Sequence, residues 1–220
     1  METSKTPLHT TALHAFHVAH GARMVPFAGW DMPVQYADGI KGEHLATRDS
    51  AGLFDVSHMA QVWLSGPGAE AMLESLTPTD VGAIGEGRVR YSLFLNEAGG
   101  VLDDLMIARL DGVLQLVVNA GRADHDIAHL RAHLTDGVEM EVKSDRALLA
   151  LQGPQSPAVL QRLGVDLAGF HFMQIGHFTI DGVDCIITRS GYTGEDGFEI
   201  SMPAAEAERL AALLFADAAV

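Results

Sequence analysis

The sequence predicts an α+β protein in which antiparallel sheets carry flanking helices. Strand-like runs joined by tight turns and interspersed with helical segments predict it. The size agrees: 220 residues with 48% hydrophobic content suffice to bury one large core or two small ones without a disulfide staple.

Taken in order, Thr6 and Pro7 open a helix that Gly21 ends, because Thr suits the N-cap and Pro the first helical position. Between residues 23 and 36, Pro26, Gly29 and Pro33 break an aromatic stretch into short extended pieces and turns. Ile40, His44, Leu45 and Arg48 are spaced as an amphipathic helix over residues 39–50, with Gly52 able to close it. Residues 59–64 alternate as a strand, and 68–76 form a short helix. The clearest stretch is a three-stranded meander, 89–95, 101–110 and 113–118, turning at 96–100 and at Asp111 and Gly112. A polar-faced helix over 122–134, strands at 138–142 and 146–151, and a helix over 155–163 follow. The chain ends on a hairpin, 178–180 and 183–189 about Asp181 and Gly182, and an Ala- and Leu-rich helix over 204–215.

A formal net charge of −15 argues against a broad nucleic-acid or anionic-membrane surface, although a single basic patch would serve a small anionic ligand. No apolar run approaches the roughly 20 residues of a membrane span. The single cysteine, Cys185, has no disulfide partner and no metal-ligand neighbours in sequence, which suits a reducing compartment. The first seven residues lack the layout of a secretory signal or transit peptide, so a bacterial-type cytoplasmic enzyme is expected.

Several groups of residues are candidates for chemistry. His9, His14, His17 and His20 have helical spacing, but no carboxylate or cysteine joins them at matching spacing; His125, His129 and His133 step by four, yet their helix lacks the Glu of a zinc-hydrolase motif, so solvated faces are expected for both, and no metal. Asp103 and Asp104 interrupt an apolar strand. Strand geometry puts one on the face of Leu102, Met106 and Ala108 and the other with Val101, Leu105 and Ile107. Composition leaves open whether either is functional or both meet solvent at the strand's edge. Gly191, Gly194 and Gly197 punctuate a loop whose spacing differs from that of a dinucleotide site, so a shaped ligand loop or a plain turn is expected. Glu199 lies between Phe198 and Ile200, where burial is costly unless the acid meets donors.

Six stretches carry a resemblance along essentially the whole chain. They are Gly21-Ala-Arg-Met-Val-Pro-Phe-Ala-Gly-Trp-Asp-Met-Pro-Val-Gln-Tyr36, Gly52-Leu-Phe-Asp-Val-Ser-His-Met59, Gly99-Gly-Val-Leu-Asp-Asp-Leu105, Val117-Val-Asn-Ala120, Leu151-Gln-Gly-Pro154 and Arg189-Ser-Gly-Tyr-Thr-Gly-Glu-Asp-Gly-Phe-Glu199. In this order they resemble the aminomethyltransferase family, the T-protein of the glycine cleavage system. The resemblance implies a folate-binding fold, with tetrahydrofolate as co-substrate and the lipoylated H-protein as partner. In that reaction the methylene carbon of an aminomethyl group passes from the H-protein to tetrahydrofolate, and ammonia leaves.

The resemblance also implies that Asp104 is the catalytic carboxylate, with Met59, Tyr91, Asn119, Tyr192 and Glu199 around the folate and Asp103 facing away. An expected division pairs residues 1–60 with 143–220 as a discontinuous unit, 61–142 being inserted. Family members continue past Val220 through further arginines into a carboxyl-terminal β-barrel domain. The chain is therefore expected to be an amino-terminal portion, with a noncatalytic folate-binding module of the same fold, or an inactive fragment, as the alternatives.

Overall fold

A computed structural model describes residues 7–220. The chain enters extended, where His9 bridges Trp30 and Thr11 donates its hydroxyl hydrogen to Asp55 Oδ2 at 2.6 Å. These tertiary commitments delay the first helix, α1 (His14–Ala19), well past the expected start at Pro7; Thr6 lies outside the described residues. Strands β1 (Arg23–Phe27) and β2 (Trp30–Gln35) form a two-stranded hairpin. Ala28 and Gly29 turn it with φ of 50° and 84°, the positive pair that a two-residue hairpin needs.

Helix α2 (Gly39–Asp49) matches its apolar spacing but ends at Ser50; Gly52 does not close it and instead opens β3 (Gly52–Asp55). Next come β4 (Ala60–Ser65) and α3 (Ala69–Glu74). The expected meander follows as β5 (Arg88–Leu95), β6 (Val101–Leu110) and β7 (Val113–Val118). Its first turn is set by Asn96, whose side-chain oxygen accepts from the amides of Ala98 at 3.0 Å and Gly100 at 2.8 Å. After α4 (Ala123–Ala132) come β8 (Glu139–Val142), β9 (Arg146–Gln152) and α5 (Ser156–Arg162). The chain closes with β10 (Ile175–Ile180), β11 (Val183–Thr188), β12 (Gly197–Pro203) and α6 (Ala207–Phe215).

Two five-stranded sheets result, ordered β10-β11-β12-β9-β3 and β5-β6-β7-β4-β8. Every ladder in them is antiparallel. The chain leaves the first sheet after β3, builds the whole second sheet, and returns in β9, which pairs with the strand it left.

Alternation along each strand then separates two faces. On one face of the first sheet, Leu149, Leu151, Phe198, Ile200 and Ile187 pack on α5 and α6. On one face of the second, Leu105, Ile107, Leu114 and Leu116 pack on α3 and α4. The other faces meet through a smaller cluster of Val89, Met106, Ala108, Ile175 and Ile186. The order is helix, sheet, sheet, helix. Ser201 of β12 ties the sheets, its hydroxyl contacting Gln61 Oε1 of β4 at 2.5 Å while Arg146 Nε donates to the Ser201 oxygen at 2.7 Å.

Candidate functional site

A narrow cleft remains between the sheets beside the small inner cluster. Trp63, Met106, Ala108, Leu148, Thr188 and Glu199 are among its lining residues. Glu199 and Ser201 of β12 point into it, while Phe198, Ile200 and Met202 point into the outer core. On β6, Asp104 shares the face of Met106 and Ala108, whereas Asp103 shares that of Leu105 and Ile107 in the outer core. The two aspartates therefore face opposite ways.

Pairing brings Asn119 to them. Leu105 pairs with Val118, so the next residue, Asn119, falls beside Asp104. Its amide Nδ2 donates to Asp104 Oδ1 at 2.8 Å, to the Asp104 carbonyl at 3.1 Å and to Asp103 Oδ1 at 3.2 Å. Ala60 pairs with Val118, which sets Met59 across from Asn119 at the end of that ladder. Tyr91 pairs with Met106 on β5, and its phenol is raised by partial burial, then by the charge and hydrogen bond of Asp104. Tyr192 is 69% exposed on its loop. Partial desolvation, followed by the charges of Glu199, Asp104 and Tyr91, pushes its phenol up to about 12. Asp104 and Asn119 are thus in direct contact, and Tyr91 and Tyr192 lie close enough to feel the Asp104 charge, Tyr192 also that of Glu199.

Burial raises the Glu199 carboxyl above its usual range, and hydroxyls of Ser190 and Thr188 draw it partly back. Neither hydroxyl was singled out from sequence, because each is an ordinary strand-end residue. The loop that carries Tyr192 is held by another residue overlooked there, Gln152. It is 2% exposed, and its Nε2 donates to the Ser190 carbonyl at 2.9 Å. A Cβ on Gly191 would meet Gln152 Oε1 at 1.9 Å, and one on Gly197 would meet its Cδ at 2.4 Å. Two of the three loop glycines are therefore explained by close approach to one side chain. The loop is a shaped one: Thr193 Oγ1 donates to Gln152 Oε1 at 3.0 Å, and Arg48 reaches the Thr193 carbonyl at 2.7 Å. Arg189 pairs with Asp196 through two nitrogens at 2.9 and 2.5 Å.

His9, His20, His125 and His133 are exposed as expected, but His14, His17 and His129 depart from solvated faces to differing degrees. His17 is 5% exposed, with Nε2 2.9 Å from Asp55 Oδ2 and Nδ1 2.7 Å from the Tyr36 hydroxyl. His14 contacts Asp31 at 2.9 Å, and His20 the Phe16 carbonyl at 2.8 Å. His129 has a buried Nε2 and its ring lies edge-on to Phe94 at 5.6 Å. Helical spacing alone does not reveal which face a neighbouring strand will cover. Asp126 was also overlooked, although its position between Ala123 and Leu130 on the core-facing stripe of α4 was a usable signal.

The arrangement defines a four-layer α+β protein with a narrow cleft between two antiparallel sheets. Glu199 lines that cleft, whereas Asp104, Met59, Tyr91, Asn119 and Tyr192 are not among its lining residues, Asp104 sharing only the strand face of the lining residues Met106 and Ala108. Residues 13–219 match the GCVT N-terminal domain family, and the chain belongs to it. It is 45% identical to the mitochondrial aminomethyltransferase of Dictyostelium discoideum, over 97% of this chain and 56% of that protein. It is 46% identical to the aminomethyltransferase of Deinococcus deserti, over 94% of this chain and 59% of that protein. The glycine cleavage system aminomethyltransferase T of Bartonella henselae superposes with a TM-score of 0.91 at 44% identity, covering 97% of this chain and 58% of that one. The chain thus spans a little over half the length of these relatives. A heterotetrameric sarcosine oxidase chain from Corynebacterium, 20% identical with a TM-score of 0.60, shares the fold. Among the described residues, no helix is long and apolar enough to cross a membrane.

Proposed function

We propose that this chain supplies the tetrahydrofolate site of a glycine cleavage aminomethyltransferase. That enzyme moves the methylene carbon of an aminomethyl group, carried on the lipoyl arm of the H-protein, to tetrahydrofolate and releases ammonia. The observation that carries the reading is the Asp104 carboxylate, held by Asn119 on the face of β6 that also bears the cleft residues Met106 and Ala108, while Glu199 lines that cleft from the other sheet. The donor set fits a pterin. The Ser190 and Thr188 hydroxyls draw the Glu199 carboxyl down against its burial, and as a carboxylate Glu199 has acceptor capacity for a paired ring N–H and amino group. Tyr91 and Tyr192 offer flat walls, Met59 a polarizable one, and Asn119 both a donor and an acceptor.

When bound, tetrahydrofolate supplies the nitrogens that receive the carbon. Asp104 orients that region and, as an anion in a partly desolvated cleft, stabilises the positive charge that develops as the carbon moves. Asn119 keeps the carboxylate aimed by donating to it, and Asp103, on the other face of the strand, takes no direct part. Residues 1–60 with 143–220 then act as one unit and 61–142 as an inserted one, a reading supported by the membership of the two sheets. The cytoplasm is the setting we favour; several eukaryotic relatives are named mitochondrial, and cell fractionation decides between the two.

The test is anaerobic calorimetry with tetrahydrofolate, alongside transfer from aminomethylated H-protein. Glu199→Ala should weaken binding by about 2–5 kcal/mol, the usual cost of losing one partner of a buried charged contact. Asp104→Asn should lower turnover by about two to three orders of magnitude with affinity changed far less, as expected for a group that acts chiefly in the transition state. Equal losses of affinity and turnover in Asp104→Asn would contradict the assignment.

A further inference from the structure

Directly behind Asp104 lies a second carboxyl that the proposed reaction does not use. Asp126 of α4 is 0% exposed, and its Oδ1 meets His125 Nδ1 at 3.2 Å. Asp103 is within hydrogen-bonding reach of it from β6. Asp103 Oδ1 accepts from Asn119, yet Asp103 Oδ2 and Asp126 Oδ2 are both buried without a donor among the described residues. Two acceptors brought together in an apolar outer core, each lacking a hydrogen, lack only a proton.

We infer that Asp126 is a positioning residue: it shares one proton with Asp103, and that proton decides how firmly the Asn119 amide is given to Asp104. This rests on the proposed role of Asp104. Asn119 Nδ2 has two hydrogens and three nearby acceptors, Asp104 Oδ1 at 2.8 Å, the Asp104 carbonyl at 3.1 Å and Asp103 Oδ1 at 3.2 Å. While Asp126 holds the proton, it donates to Asp103 and the Asn119 amide serves Asp104. Once the proton leaves Asp126, two carboxylates repel across the α4 contact and Asp103, no longer given a hydrogen by Asp126, competes for the amide.

The titration that governs this is displaced from that of an ordinary aspartate. Burial first, then the hydrogen bond with Asp103, push the Asp126 carboxyl up to about 6, while His125 pulls the other way. Asp103 from β6 and His125 from its own helix are the ionisable groups acting on it; His129, one turn on, lies against Phe94 of β5. Because the folded value lies above the unfolded one, the proton stabilises the fold below the unfolded value, and this contribution is lost as pH rises through about 6.

The experiment is a pH titration of the folate-free protein by NMR, with carbon-labelled aspartate carboxyls and nitrogen-labelled asparagine amides. In the wild-type chain, the Asp126 carboxyl should titrate near pH 6, and the Asn119 side-chain amide should move with the same midpoint. Asp126→Asn, which offers Asp103 a permanent N–H, should abolish both transitions. Histidines titrate in the same range, so His125→Gln must retain them. The inference is overturned by any of three results: no aspartate carboxyl titrating between about pH 5 and 7, an Asn119 amide that stays fixed while the carboxyl titrates, or transitions that vanish in His125→Gln. If Asp126→Asn does not fold, the wild-type and His125→Gln titrations decide alone. Added tetrahydrofolate separates the two readings. If it leaves the Asp104 signal unmoved, the folate site fails while the proton pair stands; if it moves Asp104 but the Asn119 amide ignores pH, the pair fails while the site stands.

Discussion

Asp55 shows how much can rest on a single side chain. It is fully buried at its carboxylate and accepts from Thr11 at 2.6 Å, His17 at 2.9 Å and the Ser57 amide at 2.9 Å. Burial alone raises its carboxyl, but the hydrogen bonds of His17, Ser57 and Thr11 outweigh it and leave a value below the usual range. The stability this provides is present above the unfolded aspartate value and is lost as pH falls through the depressed folded one. His17→Ala should therefore cost about 3–5 kcal/mol in urea denaturation near neutral pH, since it strips a buried carboxylate of a partner. A loss below about 1 kcal/mol, typical of exposed pairs, would show that the contact is not held in solution. The sequence displays these residues, yet nothing in the spacing of His17, Tyr36 and Asp55 reveals that they touch. The opposed facing of Asp103 and Asp104, by contrast, follows from strand period alone.

At the level of elements, local signals were strongest where they closed on themselves. The β5–β6–β7 meander was legible because Asn96 and the Asp111-Gly112 pair specify their own turns. The first helix was not, because His9 and Thr11 are claimed by partners far along the chain. Strand β3 was missed as well; four residues opening on glycine carry too little alternation to read. The Gly191–Gly197 loop was legible as shaped, but its cause was not, since Gln152 arrives from a different strand. Gly197→Ala should thus destabilise the protein by about 1–3 kcal/mol, the range for overpacking. Adding Gln152→Ala should recover part of that loss, which a double-mutant cycle by thermal melting measures. Strictly additive losses would mean that the side chain does not hold the loop.

Across the whole molecule, two outer cores and a thin inner cluster make the sheets separable in energy. Leu116→Ala, in the core of the second sheet, should cost about 2–5 kcal/mol. Native-state hydrogen exchange should then speed up in β4 to β8 before it does in β9 to β12. Equal acceleration everywhere would show that the sheets open as one unit. The fold class was readable at this scale because turns and periodicities are local. The cleft was not, because it exists only where the two sheets meet.

The return of the chain to β3 also orders events during synthesis. Strands β4 to β8 are complete once Val142 has been made, and their ladders with one another need nothing later, although the outer edge of β5 goes on to bridge Gln174. Among the described residues, strand β3 has no ladder partner until residues 146–152 emerge, since it pairs with β9 at the sheet's edge. A growing chain therefore carries Leu53 and Phe54 as an unpaired edge throughout the making of the second sheet, a stretch where chaperones would find it and where other nascent chains could pair with it.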